Sequence, residues 1–283
     1  MNTTQVTAVL GGGGAKAAAQ IGALRALAES GLAPARYIGT SMGGVVAAAA
    51  AAGLSPVEMS ARFSSVRRPD VARPRALLPA AGIWLPSMLR PEPLAATFAR
   101  LIPARRFSEL RMPLTLTSVD LDSRELVLFG AGGRDVPLLD ALAASTALPV
   151  YYPPHVIEGR RYADGGLRAV LPLDVAAGFA ASLVIAIDVG PGLDDPEPAE
   201  PPGGPALVLA HDQSEAVLMG QQARDALQRW ALTPGLPPLL HVRPPLPRHV
   251  TFAVERFAEF EAAGHLAACD ALSRAGYQAI GHA

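Results

Sequence analysis

The chain lacks most of what would place it in a specialised class. It has one cysteine in 283 residues, Cys269, so it cannot form an internal disulfide, which fits a reducing compartment. Basic and acidic residues nearly cancel, 24 against 25, and the net charge of -1 gives nucleic acid no field to follow. No nucleic-acid partner is expected. Residues 1–5 bring no positive region before an apolar stretch, so a secretory signal is not expected. The longest apolar run, residues 45–52, falls far short of the ~20 residues that a membrane span needs. A soluble, cytoplasmic protein is expected, with any membrane contact peripheral. Charged residues make up only 17% and apolar ones 50%, enough for a large core and incompatible with disorder of the whole.

Glycine and proline are plentiful, 27 of each, and they punctuate the apolar runs. Residues 6–10 read as a buried strand, and 15–30 as a helix carried by Ile21, Leu24 and Leu27 and closed by Gly31. A second strand over 34–38 leads to Ser41, and an alanine-rich helix over 42–52 stops at Gly53. This β-α-β-α order predicts parallel strands joined by right-handed crossovers. Residues 61–112 break into arginine, proline and apolar residues and read as an insertion or lid. Strands are expected over 113–119 and 125–129, then a helix over 138–148 and a buried strand over 182–189. The acidic Pro/Gly segment 190–205 reads as a solvated loop. After it come a helix over 207–232, a proline-rich strand region over 235–247 and a terminal helix over 250–274, with Cys269 buried on it. One α/β domain spanning 1–283 is expected.

Glycines 11–14 follow a strand and open a helix, so their N–H groups have no intrahelical partner and face whatever lies in front. A dinucleotide site aligns as Gly12-x-Gly14-x-x-Ala17, but it needs an acid where Tyr37-Ile38-Gly39 stands. A P-loop needs Gly-Lys followed by Ser or Thr, whereas Lys16 lies between Ala15 and Ala17. No nucleotide cofactor is expected, and no metal. The oxyanion of an acyl-transfer intermediate needs a nucleophile at the end of the neighbouring strand. Ser41 stands there, inside Gly39-Thr40-Ser41-Met42-Gly43, a pattern that fits a sharp strand-to-helix turn. A purely structural glycine turn is the plain alternative.

A serine nucleophile needs a base. His211, His241, His249 and His265 follow Asp164 in the order of a Ser-Asp-His triad, but none lies in a recognisable motif and each reads as a surface or packing residue, as does His155. Asp164 has the better case. It ends a short strand in Tyr162-Ala163-Asp164-Gly165-Gly166, where two glycines allow close approach of another loop; an ordinary Asp-Gly turn is the alternative.

Order, spacing and flanking residues of these three motifs resemble the patatin-like phospholipase family. The resemblance extends over residues 10–23, 38–53, Ala144-Ser145-Thr146-Ala147-Leu148-Pro149 and 162–172. It implies a three-layer α/β/α fold with a mostly parallel sheet, and hydrolysis of fatty acyl esters without cofactor. It also implies Ser41 as nucleophile, Asp164 as its partner in a dyad without histidine, and Gly12, Gly13 and Gly14 as the oxyanion glycines. Lys16 matches a position where the family has Arg or Lys, to hold the loop or to meet a lipid phosphate. The chain departs from the pattern at Ala17, where most members have Gly, and at Val170-Leu171-Pro172, where many have Asn before the proline. A thioesterase or acyltransferase would use the same dyad, and a silent lipid- or partner-binding member would have lost part of it. Within 76–102, Leu77, Leu78, Ile83, Trp84, Leu85, Met88 and Leu89 are expected to line or cover the acyl chain, with Trp84, Leu85 and Met88 forming its pocket. Core packing is the alternative there.

Overall fold

Eight strands form one sheet in the order β5-β6-β3-β2-β1-β7-β8, with β4 also paired to β3. The computed structural model describes residues 5–76, 85–196, 203 and 205–277. The strands are β1 (Val6–Leu10), β2 (Pro34–Thr40), β3 (Leu114–Asp120), β4 (Leu126–Gly130), β5 (His155–Ile157), β6 (Arg160–Asp164), β7 (Leu183–Ile187) and β8 (Leu239–Val242). The run β3-β2-β1-β7-β8 is parallel, while β4 and β6 lie antiparallel to β3 and β5 antiparallel to β6. The expected mixed α/β fold with a mostly parallel sheet is present.

The helices follow in chain order as α1 (Ala18–Glu29), α2 (Ser41–Ala51), α3 (Pro56–Phe63), α4 (Arg68–Val71), α5 (Pro91–Leu101), α6 (Leu138–Ser145), α7 (Gly166–Ala169), α8 (Leu173–Ala176), α9 (Ala206–Leu232) and α10 (Phe257–Arg274). They cover both faces of the sheet. Along β1, Val6, Ala8 and Leu10 pack into the core shared with α1, α2 and α10, while Val9 joins Val184, Ala186 and Trp230 on the other side. Strands covered on both faces read as near-continuous apolar runs rather than alternating ones, as β7 does throughout and β1 does apart from the buried Thr7. The α1–α10 pair is unusually close: a Cβ on Gly264 would come within 1.8 Å of the Ala19 carbonyl oxygen. Among the described residues no helix is long and apolar enough to cross a membrane.

The chain leaves β1 toward β2 on one side while β7 flanks it on the other, so the loops at the carboxyl ends of these strands part there and leave a crevice. Four expectations change around it. The terminal helix starts at Phe257 rather than 250, because Thr251 is drawn against the glycine loop, its carbonyl accepting the Ala15 N–H at 2.8 Å. The 190–205 segment is not solvated throughout: Gly192 N–H donates to Asp195 at 2.7 Å, and Asp195 is buried. Cys269 is exposed, not buried. Phe98, Leu101 and Ile102 are core residues, so the end of the 76–102 segment packs inward rather than covering a substrate.

Candidate active site

Ser41 has φ 55°, the left-handed region that an L residue enters only where its surroundings force it. The forcing is visible in its glycines. A Cβ on Gly43 would lie 2.3 Å from the Gly11 carbonyl oxygen, and one on Gly39 would lie 2.5 Å from the Gly44 Cα. Strand β2 thus doubles back into α2 with only glycine tolerated at either flank, and the serine side chain is left facing the crevice. Its own N–H, one of those that a helix start leaves unpaired, donates to Ser145 Oγ at 2.9 Å.

Ser41 Oγ donates to Asp164 Oδ2 at 2.6 Å. The second carboxylate oxygen, Oδ1, accepts the Gly166 N–H at 2.8 Å. Asp164 is 2% exposed, and no cation pairs with it among the described residues. Burial therefore pushes its pKa up to about 6, against the downward pull of the Ser41 and Gly166 hydrogen bonds. No described histidine bonds to either residue. His155, His211, His241 and His265 are paired with Asp140, Asp212, Asp188 and Glu29, and His249 borders the cleft without a bond to the pair.

Gly12, Gly13, Gly14, Ser41 and Asp164 line one cleft of about 840 Å³. The three glycines are not equivalent. Gly12 N–H donates to the Val170 carbonyl at 2.8 Å and is therefore unavailable to an incoming oxygen. The amides of Gly13 and Gly14 have no partner among the described residues. Both positions also exclude larger side chains, since a Cβ on Gly13 would sit 2.3 Å from the Val189 carbonyl oxygen, and Gly14, at φ +59°, would put one 2.5 Å from the Thr251 carbonyl oxygen.

Lys16 supports the loop. It is 7% exposed, its Nζ donates to the Gly190 carbonyl at 3.1 Å and lies 3.7 Å from Asp195. Burial lowers its pKa and Asp195 opposes that. An ammonium already paired inside the protein does not fit the alternative expectation that it meets a substrate phosphate. Arg243 completes this network, 2.6 Å from both Asp188 and Asp195. Of the expected acyl-pocket residues, Met88 lines the cleft together with Leu89 and Leu94. Leu85 is half-buried away from the lining, and Leu77, Leu78, Ile83 and Trp84 lie outside the described residues.

Sequence reasoning missed the opposite wall. On α9, Asp212 accepts the Tyr151 hydroxyl at 2.6 Å, and burial, with help from the neighbouring Asp164, pushes the Glu215 carboxyl up to about 7 although His211 pulls it down. It missed Ser145 too, although that residue lies within the Ala144–Pro149 stretch that carried the resemblance. A serine near the end of an apolar helix was the available signal.

The patatin-like phospholipase profile matches residues 8–177, more than half of the chain, from within β1 to beyond the Asp164 loop. The chain belongs to the patatin-like phospholipase family. An uncharacterized NTE family protein of Mycobacterium tuberculosis is 33% identical over 198 residues, covering 68% of this chain and 52% of that protein. Human patatin-like phospholipase domain-containing protein 6 is 30% identical over 191 residues, covering 65% of this chain and 13% of that protein. The patatin-like chain thus spans about half the length of its mycobacterial relative and a small part of the human one. The crystal structure of VipD from Legionella pneumophila aligns with a TM-score of 0.51 at 15% identity, covering 96% of this chain and 67% of that one, a likeness of fold.

Proposed function

We propose that this patatin-like chain is a serine lipid acyl hydrolase, with Ser41 as nucleophile, Asp164 as base and the Gly13 and Gly14 amides as the oxyanion site. The observation that carries the reading is the 2.6 Å hydrogen bond from Ser41 Oγ to a buried carboxylate, beside two glycine amides without a partner among the described residues. As Oγ bonds to the ester carbonyl carbon, its proton passes to Asp164 and the oxyanion takes the glycine N–H groups. The bond to the alcohol then breaks, the alkoxide recovers the proton from Asp164, and water repeats the sequence to release a fatty acid. A carboxylate with its pKa near 6 is a stronger base than one at the usual ~4, which a dyad without histidine requires. Met88, Leu89 and Leu94 supply an apolar wall for the acyl chain.

Labelling by a fluorophosphonate probe tests the assignment. The parent chain is expected to label, and Ser41→Ala to label not at all and to lose hydrolysis of a short p-nitrophenyl ester. Retained labelling and hydrolysis in Ser41→Ala would overturn the reading.

A further inference from the structure

Charge is distributed very unevenly along this nearly neutral chain. Residues 61–112 hold ten arginines and no lysine against three carboxylates, Asp70, Glu92 and Glu109, a net of +7. With a total of -1, everything else carries -8. The arginines do not spread evenly around the fold. Arg67 and Arg68 stand at the start of α4, and Arg73, Arg75 and Arg90 lie on two short strands of chain that bridge at Pro74 and Leu89, where the Arg90 N–H donates to the Arg73 carbonyl at 2.9 Å. Arg68, Pro74 and Leu89 all line the cleft that holds Ser41. Arg67, Arg68 and Arg73 have no carboxylate within ion-pair distance among the described residues, and Arg90 has only the exposed Glu92 at 3.5 Å.

The facing wall of the same mouth is apolar on its outside. The first half of α9 projects beyond the core, which it joins only from Met219 onward. Val208, Leu209 and Val217 line the cleft, and Leu207, Val217 and Leu218 are 70%, 60% and 64% exposed. Leu207 and Leu218 are eleven residues apart, three helical turns, so they share one face about 16 Å long. The two acids in this half of the helix turn toward the cleft rather than outward, Asp212 accepting the Tyr151 hydroxyl and Glu215 having its Oε1 buried.

We propose that this mouth is a docking surface for an anionic bilayer, with the arginine ribbon lying on the lipid phosphates and Leu207 and Leu218 entering the interface. The proposal deepens the lipid-hydrolase reading, on which it rests for choosing a bilayer over another polyanion. Arginines near a charged leaflet strengthen binding by about fivefold each, and exposed leucines add apolar burial, so the two together suit a peripheral contact that opens the cleft onto lipid.

Flotation with phosphatidylcholine vesicles, with and without about one-third phosphatidylglycerol, tests it. The Ser41→Ala chain is expected to float with the anionic vesicles as the parent does, and in about 0.5 M salt both are expected to stay behind, since the screening length then falls below about 5 Å. The triple variant Arg67→Gln/Arg73→Gln/Arg90→Gln should bind about a hundredfold more weakly while hydrolysing a soluble short ester at the parent rate, and the corresponding triple lysine variant should keep its binding. Equal partition of the parent onto neutral and anionic vesicles would overturn the proposal. So would parent-like flotation of the glutamine variant, or binding to heparin without binding to vesicles. Failure of ester hydrolysis in the parent, with charge-dependent flotation intact, would sink the catalytic reading and leave the docking surface standing.

Discussion

Asp164 and Asp188 are the same residue type, each 2% exposed, each at the end of a strand in one sheet, yet they titrate in opposite directions. Burial pushes both upward. At Asp164 no cation among the described residues answers it and the carboxyl rises to about 6. At Asp188 the His241 contact and the Arg243 guanidinium prevail and hold the carboxyl below its ordinary range. Depth therefore does not decide the basicity of a buried acid; its company does. One side of the sheet keeps a carboxylate that is costly to ionise beside Ser41, and on the other side, beyond β3, β2 and β1, a second carboxylate is paired with Arg243 and anchors the glycine loop through Lys16, Gly190 and Asp195.

The comparison breaks most visibly at Asp164. Asp164→Asn keeps an acceptor for Gly166 but removes the proposed base, and ester hydrolysis should fall by on the order of a hundredfold to ten-thousandfold in kcat. In the parent, kcat/KM should rise about tenfold per unit of pH below about 6 and level off above it, because only the ionised carboxylate accepts the proton. A flat profile between about pH 4.5 and 8 would remove Asp164 from that role. Stability should move the other way. The folded state binds the Asp164 proton more tightly than the unfolded chain does, so ionisation costs stability as pH rises from 3.8 to about 6, and fully above that. A shift of that size is worth about 3 kcal/mol, so Asp164→Asn should melt higher than the parent at pH 8 and at the same temperature near pH 4.

At the neutralised end, Arg243→Met leaves Asp188 and Asp195 buried without their main cation and should cost about 3–5 kcal/mol in chemical denaturation. A loss below about 1 kcal/mol would show the network to be ordinary surface pairing. The smallest effect is expected at Ser145→Ala, which frees the Ser41 amide without touching the Ser41–Asp164 hydrogen bond. About 1 kcal/mol of positioning is lost, seen as a severalfold drop in kcat with an unchanged pH midpoint. A shifted midpoint would instead mean that Ser145 acts on Asp164 directly.

These two ends were not equally legible in the sequence. The strands β1, β2 and β7, the turn at Ser41 and the Asp164 loop follow from local punctuation, because glycine spacing and continuous apolar runs are local signals. For Lys16 the sequence left two purposes open, holding the loop or meeting a phosphate, since its partners at Gly190 and Asp195 lie far along the chain in a stretch whose composition reads as solvated loop. Asp188 follows a wholly buried strand but is parted from Gly190 by Val189, so it lacks the Asp-Gly-Gly sign that marked Asp164. Local sequence could not show that Asp188 would find an arginine, because Arg243 follows β8 and meets Asp188, which follows β7, only through the pairing of those two strands. Likewise α9 was readable as a helix, but not as one whose first half leaves the core to form a wall.

The Gly12 amide, spent on the Val170 carbonyl, has a mechanical meaning. Thr40 Oγ1 donates to Ala169, and the Gly165 N–H reaches the Ser145 carbonyl at 3.4 Å, so the segment after the carboxylate is laced to the glycine loop, to the end of β2 and to α6 at once. Tugging on any of these threads pulls the others. Ser41, Asp164 and the amides of Gly13 and Gly14 are thus carried by segments that share hydrogen bonds, so displacing one of them strains the others.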